Sequence, residues 1–438
     1  MGRALATRRV LAIATGILLF HFLVALAVVP PWQHPDEPVH LLFSRILAGQ
    51  TSFDLSQRTD PVLEREIVAS MAEHGWWRHY GRPVPDSLPP DLTRVGLAVV
   101  DSGPTTYYVL AAILLRTLGV DTLLGQLHAL RWLSALLGVL TLWCGWAGTR
   151  RLFGLFAADV TVLAVALLPQ FALASTAAGP GALVTFCGAV VWRQAGPLLA
   201  GEHRAGVLVW LAAGVAAVSK REGLPLLAMA AVVTLFSVAR IRIEPGLPRR
   251  VLRAAGVAAV LSLLVTVFLQ EEVVRISDTL PRLLDRPMDP ESRSWAYFRR
   301  FSVTLLDSAW LYGGWMRYPA PTPWMMTVRL LVIVSGGGLM WLIWRGGWRP
   351  HWRPVAVAVL FVAIQGAAIY VVHFRLHIGP QGRYLFPVLF PAMAVFWVGL
   401  RSWWSTRTWP LVATALVVIL LLLDLTGWGT LLIPTYVG

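Results

Sequence analysis

Residues 10–40 read VLAIATGILLFHFLVALAVVPPWQHPDEPVH, an apolar run followed by a polar stretch with two adjacent carboxylates, Asp36 and Glu37. The run from Val10 to Val29 is long enough to cross a bilayer, because a hydrocarbon core of ~30 Å needs about 20 helical residues. Ionised groups beside hydrocarbon lose hydration, so they usually face a polar cavity or a partner. We therefore expect the acidic pair to belong to a polar site at the membrane surface.

The whole chain is as strongly apolar in composition as this first run suggests. The 438 residues are 57% hydrophobic and 14% charged, whereas soluble domains carry about 25% charged residues. Several further apolar runs approach the length of a span, and they do not alternate as β-barrel strands do. The sequence predicts an all-α polytopic membrane protein, with one integral membrane domain over 1–438.

The basic residues give the chain a net charge of +14 and lie mainly in short loops between apolar runs. This distribution favours topology signals and contacts with membrane lipids over binding of nucleic acid. The apolar runs are near 10–30, 104–118, 129–149, 156–174, 181–198, 205–219, 223–240, 251–270, 326–345, 355–374, 383–400 and 410–430.

The short run 104–118 decides the predicted topology. If it lies in the interface, the amino terminus and the arginine-rich loops all face the cytoplasm, as the positive-inside rule requires. If it spans, those loops and the amino terminus face opposite sides. The first arrangement is consistent and predicts eleven transmembrane helices, with the amino terminus inside and the carboxyl terminus outside.

Two long outer loops follow from this topology. One is 31–128, which begins with the acidic pair and contains interfacial helices, and the other is 271–325. The cytoplasmic connections are short and basic. We therefore expect the active site on the extracytoplasmic face.

The acidic pair has a functional and a structural interpretation. A carboxylate in a partly dry cleft has a raised pKa and accepts a hydroxyl proton, so Asp36 and Glu37 are candidate catalytic bases or metal ligands. Alternatively, the pair caps a helix that begins near Pro38. His34 and His40 flank the pair without a recognised zinc spacing. We assign no metal ligand and no certain cofactor, and a divalent metal stays open.

Two cationic positions are expected at the outer ends of helices. Lys220 is the only lysine of the chain, and it stands beside Arg221 against the positive-inside tendency. A phosphate would explain both charges, since Lys acts as a point charge and Arg as a bidentate fork. Snorkelling to lipid headgroups, with Glu222 as a partner, is the alternative.

The second cationic position is Arg383 in the string Gln381-Gly382-Arg383-Tyr384. It should lie at a helix amino terminus, where backbone donors also favour anions. An interfacial Arg–Tyr anchor in an ordinary turn is the alternative. Further along the same face, aromatic residues that include Trp315 surround Gly313-Gly314, and their rings suit sugars and lipid headgroups alike.

Taken together, these motifs resemble the GT-C superfamily of membrane glycosyltransferases, which take sugars from polyprenyl-phosphate carriers. Within it, the chain looks most like a bacterial branch of predicted membrane proteins. The matching segments occur in family order over nearly the whole chain. They are Pro35-Asp36-Glu37-Pro38 with His40, Pro104 to Tyr108, Leu168-Pro169-Gln170, Ser219-Lys220, Gly314-Trp315 and Gln381-Gly382-Arg383-Tyr384.

The resemblance implies roles for individual residues. Asp36 would be the base or substrate-orienting carboxylate, with Glu37 as its acidic neighbour. Lys220 and Arg383 would lie near the carrier phosphate. The other residues expected to bind substrate or phosphate are Arg221, Tyr384, Gln381, His40, Tyr107 and Trp315. One departure concerns Gly179-Pro180-Gly181-Ala182, where related sequences often carry an acid; the glycine puts a second carboxylate, and any metal that depends on it, in doubt.

The expected function is an inverting glycosyltransferase in the bacterial cytoplasmic membrane. It would move a sugar from a polyprenyl-phosphate donor to a hydroxyl of a glycan or lipid acceptor on the outer face, in cell-envelope glycan synthesis. No nucleotide is needed, because the lipid phosphate is the leaving group. A flippase or transporter for a lipid-linked glycan and a non-catalytic assembly subunit are the alternatives. Transporters tend to have inverted repeats and broken midplane helices, whereas the polar residues here gather at one surface.

Overall fold

A computed structural model describes residues 2–51, 57–97, 105–238, 295–345, 352–376 and 380–437. The α-helices in these ranges are α1 (Gly2–Val28), α2 (Glu37–Gly49), α3 (Pro61–Glu73), α4 (Trp76–Tyr80), α5 (Leu92–Val95), α6 (Thr105–Leu118), α7 (Leu123–Phe153), α8 (Leu155–Ala166), α9 (Pro169–Thr176), α10 (Pro180–Leu199), α11 (His203–Ser219), α12 (Pro225–Val238), α13 (Trp295–Trp310), α14 (Thr322–Trp344), α15 (Trp352–Leu376), α16 (Leu389–Arg401), α17 (Trp409–Gly427) and α18 (Ile433–Val437).

Three shorter elements complete the description. Two 3₁₀ segments, Arg221–Gly223 and Gly382–Val388, precede α12 and α16, and a π-helical turn at Trp428–Leu432 separates α17 from α18. The strands β1 (Tyr312–Gly313) and β2 (Tyr318–Pro319) form an antiparallel hairpin between α13 and α14.

The described chain contains eight segments that are long and apolar enough to cross a membrane, or nine if one bent pair counts as a span. They are Arg9–Val28, Leu123–Phe153, Pro180–Leu199, Arg221–Val238, Thr322–Trp344, Trp352–Val372, Gly382–Arg401 and Trp409–Val437. The run expected at 251–270 lies outside the described residues, so the total of eleven stays a prediction. The all-α polytopic architecture expected from the sequence is confirmed.

Two apolar helices are shorter than these spans. Helix α6 has 14 residues, which extend about 21 Å and fall short of a ~30 Å hydrocarbon core. Helix α11 has 17 residues and reaches about 25 Å. The interfacial placement of α6 stays a prediction. The expected loop 31–128 also holds α2 to α5, and the described part of 271–325 holds α13, the hairpin and the start of α14.

The bent pair is α8 and α9, which meet at 66° within the run 156–174 that we expected to be continuous. Pro169 lacks an amide donor and clashes with the preceding turn, so it ends the first helix. At this break the carbonyl of Ala166 lies 3.1 Å from Nδ1 of His21. The other ring nitrogen of His21 lies 2.9 Å from the buried Asp424 carboxylate. The first and last spans thus supply polar partners at the break, as apolar surroundings require.

Burial separates central from peripheral spans. The buried share is 72% for Pro180–Leu199, 67% for Gly382–Arg401 and 56% for Leu123–Phe153, but only 17% for Thr322–Trp344. Helices α7, α10 and α16 therefore form the centre of the bundle. Helix α14 presents large apolar side chains outward, such as Ile333 at 70% exposure, as expected for a surface that lipid covers.

Candidate functional site

The two adjacent acids lie at the start of α2 and enter different surroundings. Asp36 precedes the helix with φ of 67°, in the left-handed region that Asp tolerates better than most residues. Glu37 begins the helix and is fully buried, whereas 44% of the Asp36 side chain is exposed. One acid therefore belongs to the core, and its neighbour faces a cavity.

Glu37 forms a bidentate ion pair with Arg131 of α7. Nε and Nη2 of Arg131 each donate to a carboxylate oxygen at 2.8 Å, and both side chains are completely buried. Arg131 also donates to the carbonyls of Val29 at 3.0 Å and Pro30 at 2.9 Å. The backbone N–H of Ala178 donates to Glu37 at 3.2 Å. The pair therefore ties the end of α1, the start of α2 and the α9–α10 connection to α7.

The opposite charges of Glu37 and Arg131 balance each other inside the protein. Burial by itself raises the pKa of Glu37, but Arg131 and His34 outweigh it and hold the pKa below its usual value. Glu37 does not line either cavity described below. Its surroundings are those of a residue that positions the turn carrying Asp36.

The first cavity has a volume of about 650 Å³, including its open mouth. It brings together Asp36 after α1, Lys220 after α11 and Arg383 before α16, from parts of the chain far apart in sequence. Small residues of α9 and α10 form its apolar wall. Its polar and aromatic lining is Asp36, His40, Ser175, Thr185, Lys220, Glu222, Arg383, Tyr384 and Phe386.

Arg383 faces Asp36 across this cavity. Its Nη2 lies 3.4 Å from Oδ2 of Asp36, and the Arg383 side chain is 18% exposed. Burial pushes the pKa of Asp36 upward, but Arg383, His40 and Lys220 together lower it below its usual value. The raised pKa that we expected for Asp36 in a partly dry cleft is therefore wrong in direction, because folding brings these cations close to the carboxylate.

Lys220 is the second cation of the first cavity. Its Nζ is 3.6 Å from Oε1 of Glu222 and 5.2 Å from the centre of the Tyr384 ring. Arg383 lies 5.6 Å from the same ring centre, so both cations lie close to the Tyr384 ring. Gln365 of α15 donates to the carbonyls of Glu222 at 3.2 Å and Tyr384 at 2.8 Å, which joins the two segments that carry the cations.

His40 faces the cavity from the first turns of α2. Burial lowers its pKa to about 4, so the ring is neutral near pH 7. Its Nδ1 lies 2.7 Å from the hydroxyl of Tyr108. Tyr108 therefore reaches the site through His40, whereas Tyr107, which we expected there, is buried outside both cavity linings.

The backbone at Gly382 explains the glycine of the Gln381–Tyr384 motif. A Cβ at this position would lie 1.9 Å from the backbone N of Ala309, so only glycine permits the approach of α13. The amide of Gly382 donates to Oγ of Ser308 at 2.8 Å. This close packing holds Arg383 at the edge of the cavity.

A second cavity of about 460 Å³ adjoins the first, with Pro35, Ala174, Ala177 and Arg383 common to both linings. Gln381 and Trp315, which we expected in one site with Asp36, line this second cavity instead. Arg221 is exposed and lines neither cavity. The structure thus divides the expected site residues between two adjoining spaces.

The described side chains give little support for a metal site. Within the described ranges, no group of three or more His, Cys, Asp or Glu residues is arranged to hold a metal ion. Gly181 lines the first cavity, and a Cβ built there meets no atom within 4 Å. Space therefore exists at Gly181 for the acid that related sequences often carry there, although this chain lacks the acid.

Several residues of the site were not identified from the sequence. Arg131 carried a usable signal, since an arginine inside an apolar run needs a buried partner. Glu222 adds a second carboxylate to the first cavity, but its sequence position beside Lys220 indicated only an ion pair. Tyr108 ends the motif segment that begins at Pro104, but the sequence did not indicate its contact with His40. Gln365 gave no signal, because its role depends on packing between distant helices.

Comparison with known proteins supports the fold. ArnT from Cupriavidus metallidurans in its apo state has a TM-score of 0.51 and 20% identity, over 93% of this chain and 63% of that chain. ArnT from the same organism bound to undecaprenyl phosphate has a TM-score of 0.52 at the same identity and coverage. No protein-family model and no curated protein matches the chain.

A more distant likeness links the chain to the archaeal oligosaccharyltransferase AglB from Archaeoglobus fulgidus, solved with an inhibitory peptide and a dolichol-phosphate. It has a TM-score of 0.45 and 12% identity, over 99% of this chain and 55% of that chain. The chain spans 63% of the length of the ArnT chains. It shares the fold of these ArnT structures, and the GT-C-like fold expected from its motifs is confirmed.

Proposed function

We propose that the protein is an inverting glycosyltransferase that moves a sugar from a polyprenyl-phosphate carrier to an acceptor hydroxyl. The reaction would take place on the outer face of the bacterial cytoplasmic membrane, in the synthesis of a cell-envelope glycan. The observation that carries the proposal is the first cavity, where the carboxylate of Asp36 shares one lining with the two cations Lys220 and Arg383. The fold shared with an ArnT structure bound to undecaprenyl phosphate supports a lipid phosphate as the anion.

The cations have the place and chemistry of a phosphate site. Arg383 is held at the cavity edge by the Gly382–Ser308 contact, and Lys220 lies against the same Tyr384 ring. Their positive charge would stabilise the phosphate as it leaves the sugar, which is commonly a large part of such catalysis. The small residues that line the opposite wall leave room for the first isoprene units of the carrier.

Asp36 would be the base. The acceptor oxygen forms a bond to the anomeric carbon, the bond from that carbon to the phosphate oxygen breaks, and the acceptor proton passes to Asp36. A single displacement inverts the anomeric configuration. When a phosphate binds Arg383 and Lys220, it screens the charges that lower the Asp36 pKa. Asp36 then becomes a stronger base in the loaded enzyme than in the empty one.

Glu37 would act through the backbone rather than on the substrate. Its bonds to Arg131 and Ala178 hold the turn at Asp36 in its left-handed conformation. We therefore assign Glu37 a positioning role. His40, neutral and bound to Tyr108, would contact the acceptor or phosphate by hydrogen bonding rather than by charge. Arg221 stays an expected phosphate contact, although its exposed position outside both cavity linings does not favour this role.

The test measures binding of undecaprenyl phosphate to the protein in nanodiscs. Lys220→Met should weaken binding about 10- to 100-fold, because a charge-assisted contact to phosphate is lost. Arg204→Met is the matched control, since it removes one exposed positive charge from the opposite end of the same helix. Equal affinity in Lys220→Met and the control would overturn the phosphate site.

A second measurement separates transfer from transport. Proteoliposomes are supplied with sugar-bearing undecaprenyl phosphate and a total membrane-glycan extract as acceptor. Transfer of the sugar from the lipid to the extract supports the proposal. Movement of the donor across the bilayer without transfer would favour a flippase, for which the bend between α8 and α9 is also a suitable feature.

A further inference from the structure

The lining of the second cavity contains polar side-chain atoms that have no role in the proposed reaction. Gln33 precedes the acidic pair, is 1% exposed and lines this cavity. Among the residues that the structure describes, neither its amide nitrogen nor its amide oxygen has a hydrogen-bond partner. Buried amides in folded proteins are almost always satisfied, because an unpaired buried donor or acceptor is costly. Because Gln33 also lines a cavity, its amide is available to a molecule that enters this space.

Two other side chains add to this capacity from different elements. Both residues line the cavity, Gln381 just before the Arg383 segment and Trp315 in the β1–β2 turn. Oε1 of Gln381 and Nε1 of Trp315 are buried with no partner within the described part of the chain. With the Gln33 amide they supply two acceptors and two donors. These atoms come from three separate parts of the chain, so their convergence is a property of the fold.

The charge of the lining selects the ligand class. The described side chains around the second cavity include no lysine and no carboxylate, and Arg383 stands only at the border with the first cavity. Burial lowers the pKa of His34 to about 4, so this lining residue is neutral near pH 7. An anionic ligand would satisfy the donors but would face the two amide oxygens unfavourably. A hydrocarbon would satisfy neither.

Hydroxyl groups fit this set because each one both donates and accepts. A cavity of about 460 Å³ lies in the ~300–1,000 Å³ range of small-ligand sites. We propose that the second cavity binds a neutral, hydroxyl-bearing ring, a sugar unit, through Gln33, Gln381 and Trp315. Its position beside Arg383 places the ring next to the phosphate of the first cavity.

This inference rests on the proposed transferase function and deepens it. The ring has two sources with the same chemistry, namely the sugar carried by the lipid donor and a sugar of the acceptor. The first is covalently joined to the phosphate in the first cavity, and the second reaches the cavity separately. Binding experiments with and without the lipid link distinguish them.

The test compares wild type with Gln33→Leu, which keeps the side-chain size and removes both amide atoms. Gln126→Leu is the matched control, because Gln126 is another buried glutamine that lines neither cavity. Affinities in nanodiscs are measured for bare undecaprenyl phosphate and for undecaprenyl phosphate carrying each of a set of hexoses and pentoses. Free methyl glycosides are measured in parallel by saturation-transfer NMR.

If the ring belongs to the donor, Gln33→Leu weakens binding of at least one sugar-bearing lipid about 10-fold and leaves the bare lipid unchanged. If it belongs to the acceptor, both lipids bind as in wild type, and a methyl glycoside signal seen in wild type is lost. Trp315→Phe keeps a ring and removes the donor, so it should give the same pattern with a smaller loss. It also guards against misfolding of the leucine variant.

An unchanged profile in Gln33→Leu and Trp315→Phe, equal to that of Gln126→Leu, would overturn the inference and leave water as the occupant. Failure of the proposed function has a different signature. In that case bare undecaprenyl phosphate binds wild type and Lys220→Met equally, whatever Gln33 does.

Discussion

The two ion pairs of the Asp36-Glu37 turn differ in burial, distance and completeness. Arg131 and Glu37 are 0% exposed and meet in a bidentate pair at 2.8 Å. Arg383 and Asp36 are 18% and 44% exposed and meet through one contact at 3.4 Å. A buried, fully bonded pair is costly to separate, whereas a partly hydrated one can exchange its partner for a ligand. Adjacent acids thus serve structure and chemistry separately.

The largest effect should follow from removing the charge at Asp36. Asp36→Asn should lower transfer about 10²- to 10⁴-fold, because the proton acceptor is lost. Asn tolerates the same left-handed backbone, so thermal stability should stay close to wild type. Transfer assays and thermal unfolding in detergent check both parts. Full activity in Asp36→Asn would remove Asp36 from the mechanism.

Breaking the buried pair should act on stability instead. Glu37→Leu leaves Arg131 buried without a counter-charge, which should lower the free energy of unfolding by about 3–5 kcal/mol. Combining it with Arg131→Met should recover part of this loss. The matched control is Glu66→Leu, which breaks the exposed Arg45–Glu66 pair and should cost at most about 1 kcal/mol. Equal losses at Glu37 and Glu66 would contradict the assigned structural role.

The pH dependence of stability should come from the same turn. The folded pKa values of His34 and His40 are about 4, below the ordinary histidine pKa of 6.5, so the unfolded chain binds protons first as the pH falls. Asp36 and Glu37 also have lowered pKa values and lose their contribution in more acidic solution. Stability should therefore decrease from about pH 6.5 toward pH 4. Unfolding temperatures across this range check it, and His40→Asn should flatten the upper part.

The smallest effect should come from restoring the absent acid. Gly181→Asp has open space around its Cβ and stands in the first turn of α10, where an acid suits the helix dipole. The added carboxylate should weaken binding of undecaprenyl phosphate about two- to five-fold by repulsion. Gly181→Ala should bind as wild type does. Tighter binding that depends on added Mg²⁺ would instead mean that the acid completes a metal site.

The sequence predicted the type of fold and much of the site because those signals are local. The apolar runs are read from consecutive residues, and the motif segments at Asp36, Lys220 and Arg383 are short. The bend at Pro169 also had a local cause, although the run around it was read as continuous. The sequence could not show that Gln381 and Trp315 line a different cavity from Asp36, because this depends on which helices enclose each cavity.

By itself, the sequence determined that the chain is a bundle of apolar helices with an acidic turn and two cationic helix ends, because hydrophobic length and charge are properties of consecutive residues. The tertiary structure decided what each charge does. Glu37 meets Arg131 across 94 positions of sequence, and Asp36 meets Arg383 across 347. The pKa of Asp36 falls rather than rises for the same reason, since burial and neighbouring charge exist only after distant helices have packed.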